Sequence, residues 1–156
     1  MPGFKRSVFI DLPVEQVFDF ACDIANASKF LPSVTKIEML TEGGMKPGAR
    51  FRETRGMNGK ERSAVIEVVE HERPRVHAAR AGMLGMQATY TFRFSPDGAG
   101  TRVEMEADVR GNFLWWLFLG MLCRMMEKED GEYLNRLKNA MQAPVPGAGE
   151  GIGAPR

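Results

Sequence analysis

Apolar and polar residues alternate along most of this chain, and the alternation changes period only near the two ends. Phe4 to Asp11 alternates and is rich in Val, Ile and Phe, so it predicts a strand. Leu12-Pro13 ends it. Pro13 suits the first turn of a helix and Glu15 adds negative charge near that N-terminus. Val14, Val17, Phe18, Ala21 and Cys22 then share one helical face, which predicts a short amphipathic helix over Pro13 to Asp23. Asn26 to Leu31 predicts a second short helix, stopped at Pro32.

From Val34 the chain becomes a series of strands: Ile37 to Thr41, Ala49 to Met57, Arg62 to Glu72, Val76 to Met83, Met86 to Ser95 and Thr101 to Gly111. Turn-forming residues separate them, Asn58-Gly59 being the strongest hairpin signal because both residues accept positive φ. The last two strands alternate most cleanly. Met86, Ala88, Tyr90, Phe92 and Phe94 oppose Gln87, Thr89, Thr91 and Arg93, and Val103, Met105, Ala107 and Val109 oppose Arg102, Glu104, Glu106 and Asp108. One sheet face is therefore apolar and the other wet, as in an antiparallel sheet covered on a single side.

The cover is expected from Phe113 to Gln142, with Asn112 as N-cap. This stretch begins almost wholly apolar (Phe113 to Leu119) and ends amphipathic and charged. Trp116, Leu119, Gly120, Cys123, Met126, Leu134, Leu137 and Met141 recur at steps of three and four, with Asp130 on the same side. Gly131 costs about 1 kcal/mol relative to Ala inside a helix, so it marks a kink or a close approach to the sheet. Residues 143–156, rich in Pro, Gly and Ala, read as a disordered tail after a single domain spanning 1–142. The fold class is α+β.

Bulk composition narrows the function classes. The 156 residues suit one domain with a sizeable core, and 44% apolar with 26% charged residues is typical of a globular protein. Net charge is +1, with basic and acidic residues interleaved, so no nucleic-acid partner is expected. The apolar run from Phe113 to Cys123 is well short of the roughly 20 residues that span a bilayer. No signal peptide is evident, and a cytoplasmic location is expected. Cys22 and Cys123 fit no metal or redox spacing and read as free thiols. Of the 11 methionines, Met57, Met83, Met86, Met105, Met121, Met125 and Met126 fall where the interior is expected. They serve either as core filling or as the wall of a deformable cavity.

The element order, strand, two short helices, antiparallel strands and one long helix, resembles the START-like or SRPBCC superfamily. Its small polyketide cyclase/dehydrase-like or lipid-transport-like bacterial members are the specific match. The resemblance covers about residues 4–142. It is carried by Ser7 to Phe20 (strand, then Pro-led helix), Phe30-Leu31-Pro32, Pro47-Gly48-Ala49-Arg50-Phe51, Val68 to Pro74 and Tyr133 to Lys138. It implies a helix-grip fold: a curved antiparallel sheet wrapped around the long C-terminal helix, with two short helices between the first and second strands. It also implies an elongated cavity for a lipid, polyketide or polycyclic ligand; no cofactor is expected.

The lining candidates are Phe18, Phe30, Phe51, Ile66, Met86, Tyr90, Phe92, Met105, Trp116, Leu119, Cys123 and Met126. Tyr90 shares the apolar phase, so its hydroxyl bonds either a ligand or another side chain or water. Glu53 and Arg55 share the phase of Phe51 and form a charged pair at one end of the cavity if that face is inward, and are solvated if the strand is an edge or bulged. Asp130 is a carboxyl acid of raised pKa, the partner of an inward Arg80, or a residue placed where the stripe meets solvent. These four are the catalytic candidates. His71 reads as a surface residue beside a turn and His77 as a structural one. Neither has the third ligand a metal site needs, so no metal is expected.

Three functions follow. The first is non-enzymatic binding or transport of a small hydrophobic ligand. The second is an aromatase/cyclase-type polyketide cyclase or dehydrase acting through Tyr90 with Glu53, Arg55 or Asp130. The third is an accessory protein that docks a membrane, a partner or a second copy through Trp115, Trp116, Phe118 and Leu122.

Overall fold

The computed structural model describes residues 3–83 and 85–142, without the side chains of Met57 and Met83; the tail expectation for 143–156 lies outside it. Strand β1 (Gly3–Ile10) leads into helix α1 (Val14–Cys22), a 3-10 turn (Ile24–Asn26) and helix α2 (Ala27–Phe30). Six strands follow: β2 (Val34–Met39), β3 (Arg50–Met57), β4 (Lys60–Glu72), β5 (Val76–Met83), β6 (Met86–Asp97) and β7 (Gly100–Gly111). Helices α3 (Phe113–Trp116), α4 (Leu119–Asp130) and α5 (Tyr133–Gln142) complete the chain.

The strands form one antiparallel sheet in the order β1-β7-β6-β5-β4-β3-β2. β1 and β2 thus lie at opposite edges, and the chain between them must cross the sheet. That crossing is why two helices stand where a tight turn ordinarily serves. Asn58 and Gly59 both take positive φ, 53° and 76°, closing the β3–β4 hairpin as the sequence predicts.

The main core lies where α1, α2 and α5 meet β1, β6 and β7. Ile10, Val17, Val103, Met105 and Leu137 are wholly buried there, beside Phe18 and Leu134. The phase read for β7 holds: Val103, Met105, Ala107 and Val109 all point inward. A smaller cluster packs Leu119 and Cys123 against Ala88 and Val109, and a third joins Ala49, Phe51 and Val68.

The C-terminal helix is interrupted at Gly131-Glu132, where Gly131 is expected to mark a kink, and departs from expectation in two ways. It also breaks at Leu117-Phe118. At Gly131 an added Cβ would lie 2.3 Å from the Glu127 carbonyl oxygen, so the break requires a residue without a side chain. Its apolar beginning is also not covered. Trp116 is 67% exposed, and Phe113, Leu114, Leu117, Phe118, Met121 and Met125 are exposed with it. The sheet ends before this segment, so the expected inward placement of Trp116, Met121 and Met125 is corrected.

Packing at the two helix ends therefore differs sharply in energetic weight. Leu137→Ala is expected to cost about 2–5 kcal/mol through the lost side chain and its cavity. Trp116→Ala is expected to stay within about 0.5 kcal/mol. Urea denaturation of the two variants checks this; equal midpoints would contradict the placement of the core.

Candidate functional site

The sheet's inward positions change character from β6 towards β3. On β4 and β5 they carry Ala64, Ala79 and Ala81, too small to reach the helices facing them, and a partly open hollow of about 300 Å³ remains. This is the lower end of the volume range of small-molecule sites. Phe30, Phe51, Ile66, Tyr90, Phe92 and Met126, all expected at the wall, line it.

The other six expected lining residues lie elsewhere. Phe18 and Met105 are core; Phe18 packs edge-on against Phe94, ring centroids 5.0 Å apart. Leu119 and Cys123 are buried under β7, Met86 packs against their cluster, and Trp116 faces solvent. Helical periodicity placed Leu119 and Cys123 on the buried side of α4, but it does not say how far along the helix the hollow extends. Missed by that reading were Tyr133, held between Phe30 and Phe92, and Cys22, Ile37 and His77.

The four polar candidates form one connected chain in the hollow. Arg55 Nε donates to Glu53 Oε1 at 2.6 Å, and Arg55 Nη1 to Asp130 Oδ1 at 3.4 Å. The Tyr90 hydroxyl donates to Asp130 Oδ2 at 2.7 Å. β3, β6 and the end of α4 are thereby joined across the space. Arg80 is not the partner of Asp130: it pairs with Glu67 at 2.8 Å on the wet face. Burial opposes the Arg55 charge, but Glu53 and Asp130 outweigh it and hold the guanidinium protonated. A carboxylate at a helix C-terminus faces the negative end of the helix dipole, so Asp130 depends on Arg55. Burial, then the Asp130 charge, pushes the Tyr90 phenol well above its usual range. Burial does the same for Tyr133.

A second polar group meets the hollow where α1 ends. β4 carries a bulge between Val68 and Glu70. The extra residue flips the side-chain phase and turns His71 inward. Opposite it, His77 shares the inward phase of Ala79 and Ala81, and the two Nδ1 atoms are 3.0 Å apart. Cys22 sits over the pair, all three ligand-type atoms lying within 4.8 Å of one another. The sequence expectation of a surface His71 and no third ligand is corrected here; the bulge that causes it has no signature in residue types. A two-point ion pair, Arg73 Nε to Asp19 Oδ1 at 2.7 Å and Nη2 to Oδ2 at 2.9 Å, fastens α1 to the β4–β5 turn. Burial lowers His77 to about 4, and raises the Cys22 thiol to about 12 with help from Asp19.

The family model described as "Polyketide cyclase / dehydrase and lipid transport" matches residues 1–142. The chain belongs to this family. Solved structures share its helix-grip fold. These include Ara h 8.0201 (TM-score 0.73, 11% identity, 89% of this chain and 97% of that one). The protein TTHA0849 from Thermus thermophilus aligns with TM-score 0.71 at 20% identity, over 91% and 98% of the two chains. The di-domain ARO/CYC BexL of the BE-7585A biosynthetic pathway gives TM-score 0.77 at 16% identity; the match covers 91% of this chain but 47% of BexL. No curated protein matches by sequence. No helix among the described residues of this family member is long and apolar enough to cross a membrane.

Tyr90 and Tyr133 are the only tyrosines of the chain. Both are expected to resist ionisation in the folded protein beyond the usual pKa of about 10. A group whose folded pKa is raised contributes stability that is intact below the unfolded pKa and lost as pH rises above it. Stability should therefore fall above about pH 10, with tyrosinate absorbance appearing only on unfolding. A full tyrosinate signal in folded protein near pH 10 would contradict the buried Tyr90–Asp130 bond.

Proposed function

We propose that this protein binds a small hydrophobic ligand in the hollow between sheet and helices, as a carrier and not as a catalyst. The observation that carries this reading is one space with two kinds of wall. Aromatic and aliphatic side chains surround it, and a single polar chain, Glu53–Arg55–Asp130–Tyr90, runs through it. Burial of apolar area would supply affinity, and the Tyr90 or Arg55 end would orient one oxygen of the ligand. Lipids, polyketides and polycyclic compounds share that chemistry.

Catalysis of a cyclase or dehydrase kind is the second reading, supported by the family and by the hydrogen bond between Tyr90 and Asp130. A phenol held this far above its usual pKa is a weak proton donor, which favours an orienting role over an acid one. Unchanged turnover of a linear poly-β-ketone by Tyr90→Phe and Asp130→Asn variants would remove these residues from any mechanism.

A fluorescent fatty-acid analogue is expected to brighten in the presence of the protein and to be displaced by extracted lipids. Ala79→Phe, which fills the hollow, should abolish that signal while leaving the fold intact. Asp130→Asn should weaken binding about tenfold by loosening Arg55 and Tyr90 from the positions in which Asp130 holds them at the wall of the hollow. A probe signal unaffected by Ala79→Phe, together with native mass spectra free of any bound apolar compound, would overturn the carrier reading.

The accessory-docking reading is carried by the exposed apolar α3 region. Trp116 and Phe118 belong to that surface with Phe113, Leu114 and Leu117, whereas Trp115 and Leu122 are half-buried. Trp116→Asp with Leu117→Asp is expected to reduce co-flotation with liposomes; no difference from the unmodified protein would remove α3 as a lipid-collecting lip.

A further inference from the structure

We propose that Cys22, His71 and His77 form a mononuclear site for a zinc-class transition-metal ion in the wall of the hollow, with one coordination position left open towards it.

Three elements that are far apart in sequence deliver the ligands: the last residue of α1, the inward residue after the β4 bulge, and its cross-strand neighbour on β5. His71 and His77 are paired directly across the ladder, so backbone register sets the two side chains side by side on the inward face, with their Nδ1 atoms 3.0 Å apart. The rings stand at 88° to each other with centroids 5.2 Å apart, and Phe18 packs against His71 at 5.3 Å. The Asp19–Arg73 pair holds α1, and so Cys22, above them.

Tetrahedral zinc, with bonds of about 2.0–2.3 Å, separates its nitrogen and sulfur ligands by about 3.3–3.6 Å. The two Nδ1 atoms at 3.0 Å need open by only a few tenths of an ångström, and the sulfur, within 4.8 Å of both, closes by a rotamer adjustment. One thiolate and two imidazoles are the donor set that borderline cations such as zinc favour, and that magnesium and calcium do not. Three protein ligands with a fourth position for water or another oxygen is the arrangement of an open zinc site. Cys22 and His77 both border the hollow, so that position faces it.

The protons balance simply. Without metal, one imidazole carries its hydrogen on Nδ1 and donates it to the other. On binding, that hydrogen moves to the Nε2 of the same ring, exchanged through water, so both Nδ1 lone pairs point at the ion. Cys22 releases its thiol proton to solvent, and no oxidation state changes. This assignment does not require an apolar ligand in the hollow, and an apolar ligand does not require the metal.

Chelator-stripped full-length protein titrated with cobalt(II), a spectroscopic stand-in for zinc, tests the site. One equivalent should produce a near-ultraviolet thiolate-to-cobalt charge-transfer band with intense tetrahedral visible bands, and one equivalent of zinc(II) should erase both. Cys22→Ser should abolish the charge-transfer band and Cys123→Ser should keep it. His71→Gln and His77→Gln should each weaken cobalt binding by roughly tenfold or more. Absence of the band in the unmodified protein would overturn the proposal whether or not the variants fold, as would a band that survives Cys22→Ser. Fatty-acid-probe binding in the stripped protein is read separately, so failure of the metal site and failure of the carrier reading are told apart.

Discussion

A sheet with one apolar concave face has to be covered, and here the cover reaches only part of that face. Because β1 and β2 lie at opposite edges, the crossing segment lays α1 and α2 over the sheet, and α5 closes against β1. Where β1, β6 and β7 present Val, Ile, Phe and Met, helix and sheet meet in a solid core. Where β4 and β5 present alanine, they do not. The hollow is thus a consequence of side-chain size at a few inward positions on an otherwise regular sheet, and its walls inherit whatever else the strands carry at that phase.

Those walls hold polar groups that the core does not tolerate. Among the described residues the only wholly buried polar side chain is Thr101, whose hydroxyl donates to the Leu12 carbonyl at 2.8 Å. Around the hollow, Glu53, Arg55, Asp130 and Tyr90 satisfy one another. No buried side-chain nitrogen or oxygen of the described residues is left without a partner. Removing one member of such a network strands the others, which costs more than the bond itself contributed. The network also ties α4 to the sheet at its C-terminal end, and an Arg6–Glu127 ion pair ties it to β1. The interruption at Gly131 then lets α5 take its own direction across the core.

Much of this architecture was legible in residue pattern. Alternation along β6 and β7, the Asn58-Gly59 hairpin and the Pro-led first helix all follow from local chemistry, and the inward phase of Tyr90 followed from its spacing to Phe92; Glu53 and Arg55 share the phase of Phe51, but the pattern left open whether that face turns inward. Other features were not legible, for identifiable reasons. A bulge adds one residue without changing composition, so His71 read as outward. Val76 and Ala78 are apolar and buried yet share the phase of Arg80, opposite to that of Ala79 and Ala81, so β5 appeared ambiguous and His77 with it. Trp116 obeys the helical stripe but lies beyond the sheet edge, and periodicity carries no information about where a partner surface ends.

The self-satisfied polar chain also constrains what can occupy the hollow. A guest gains nothing by placing an apolar group against Asp130 or Arg55, because those groups already bond each other and lose nothing by staying so. A guest that offers an acceptor to Arg55 or Tyr90 must replace an existing charge-assisted bond, so the net gain per contact is small. On the carrier reading, affinity would then come mainly from apolar area, and the polar chain would act by excluding guests that present a charge or an unpaired donor in the wrong place. An ion held by Cys22, His71 and His77 would alter that balance. A metal with an open position takes an oxygen without breaking any protein bond, so guests carrying one well-placed oxygen would be favoured over purely apolar ones.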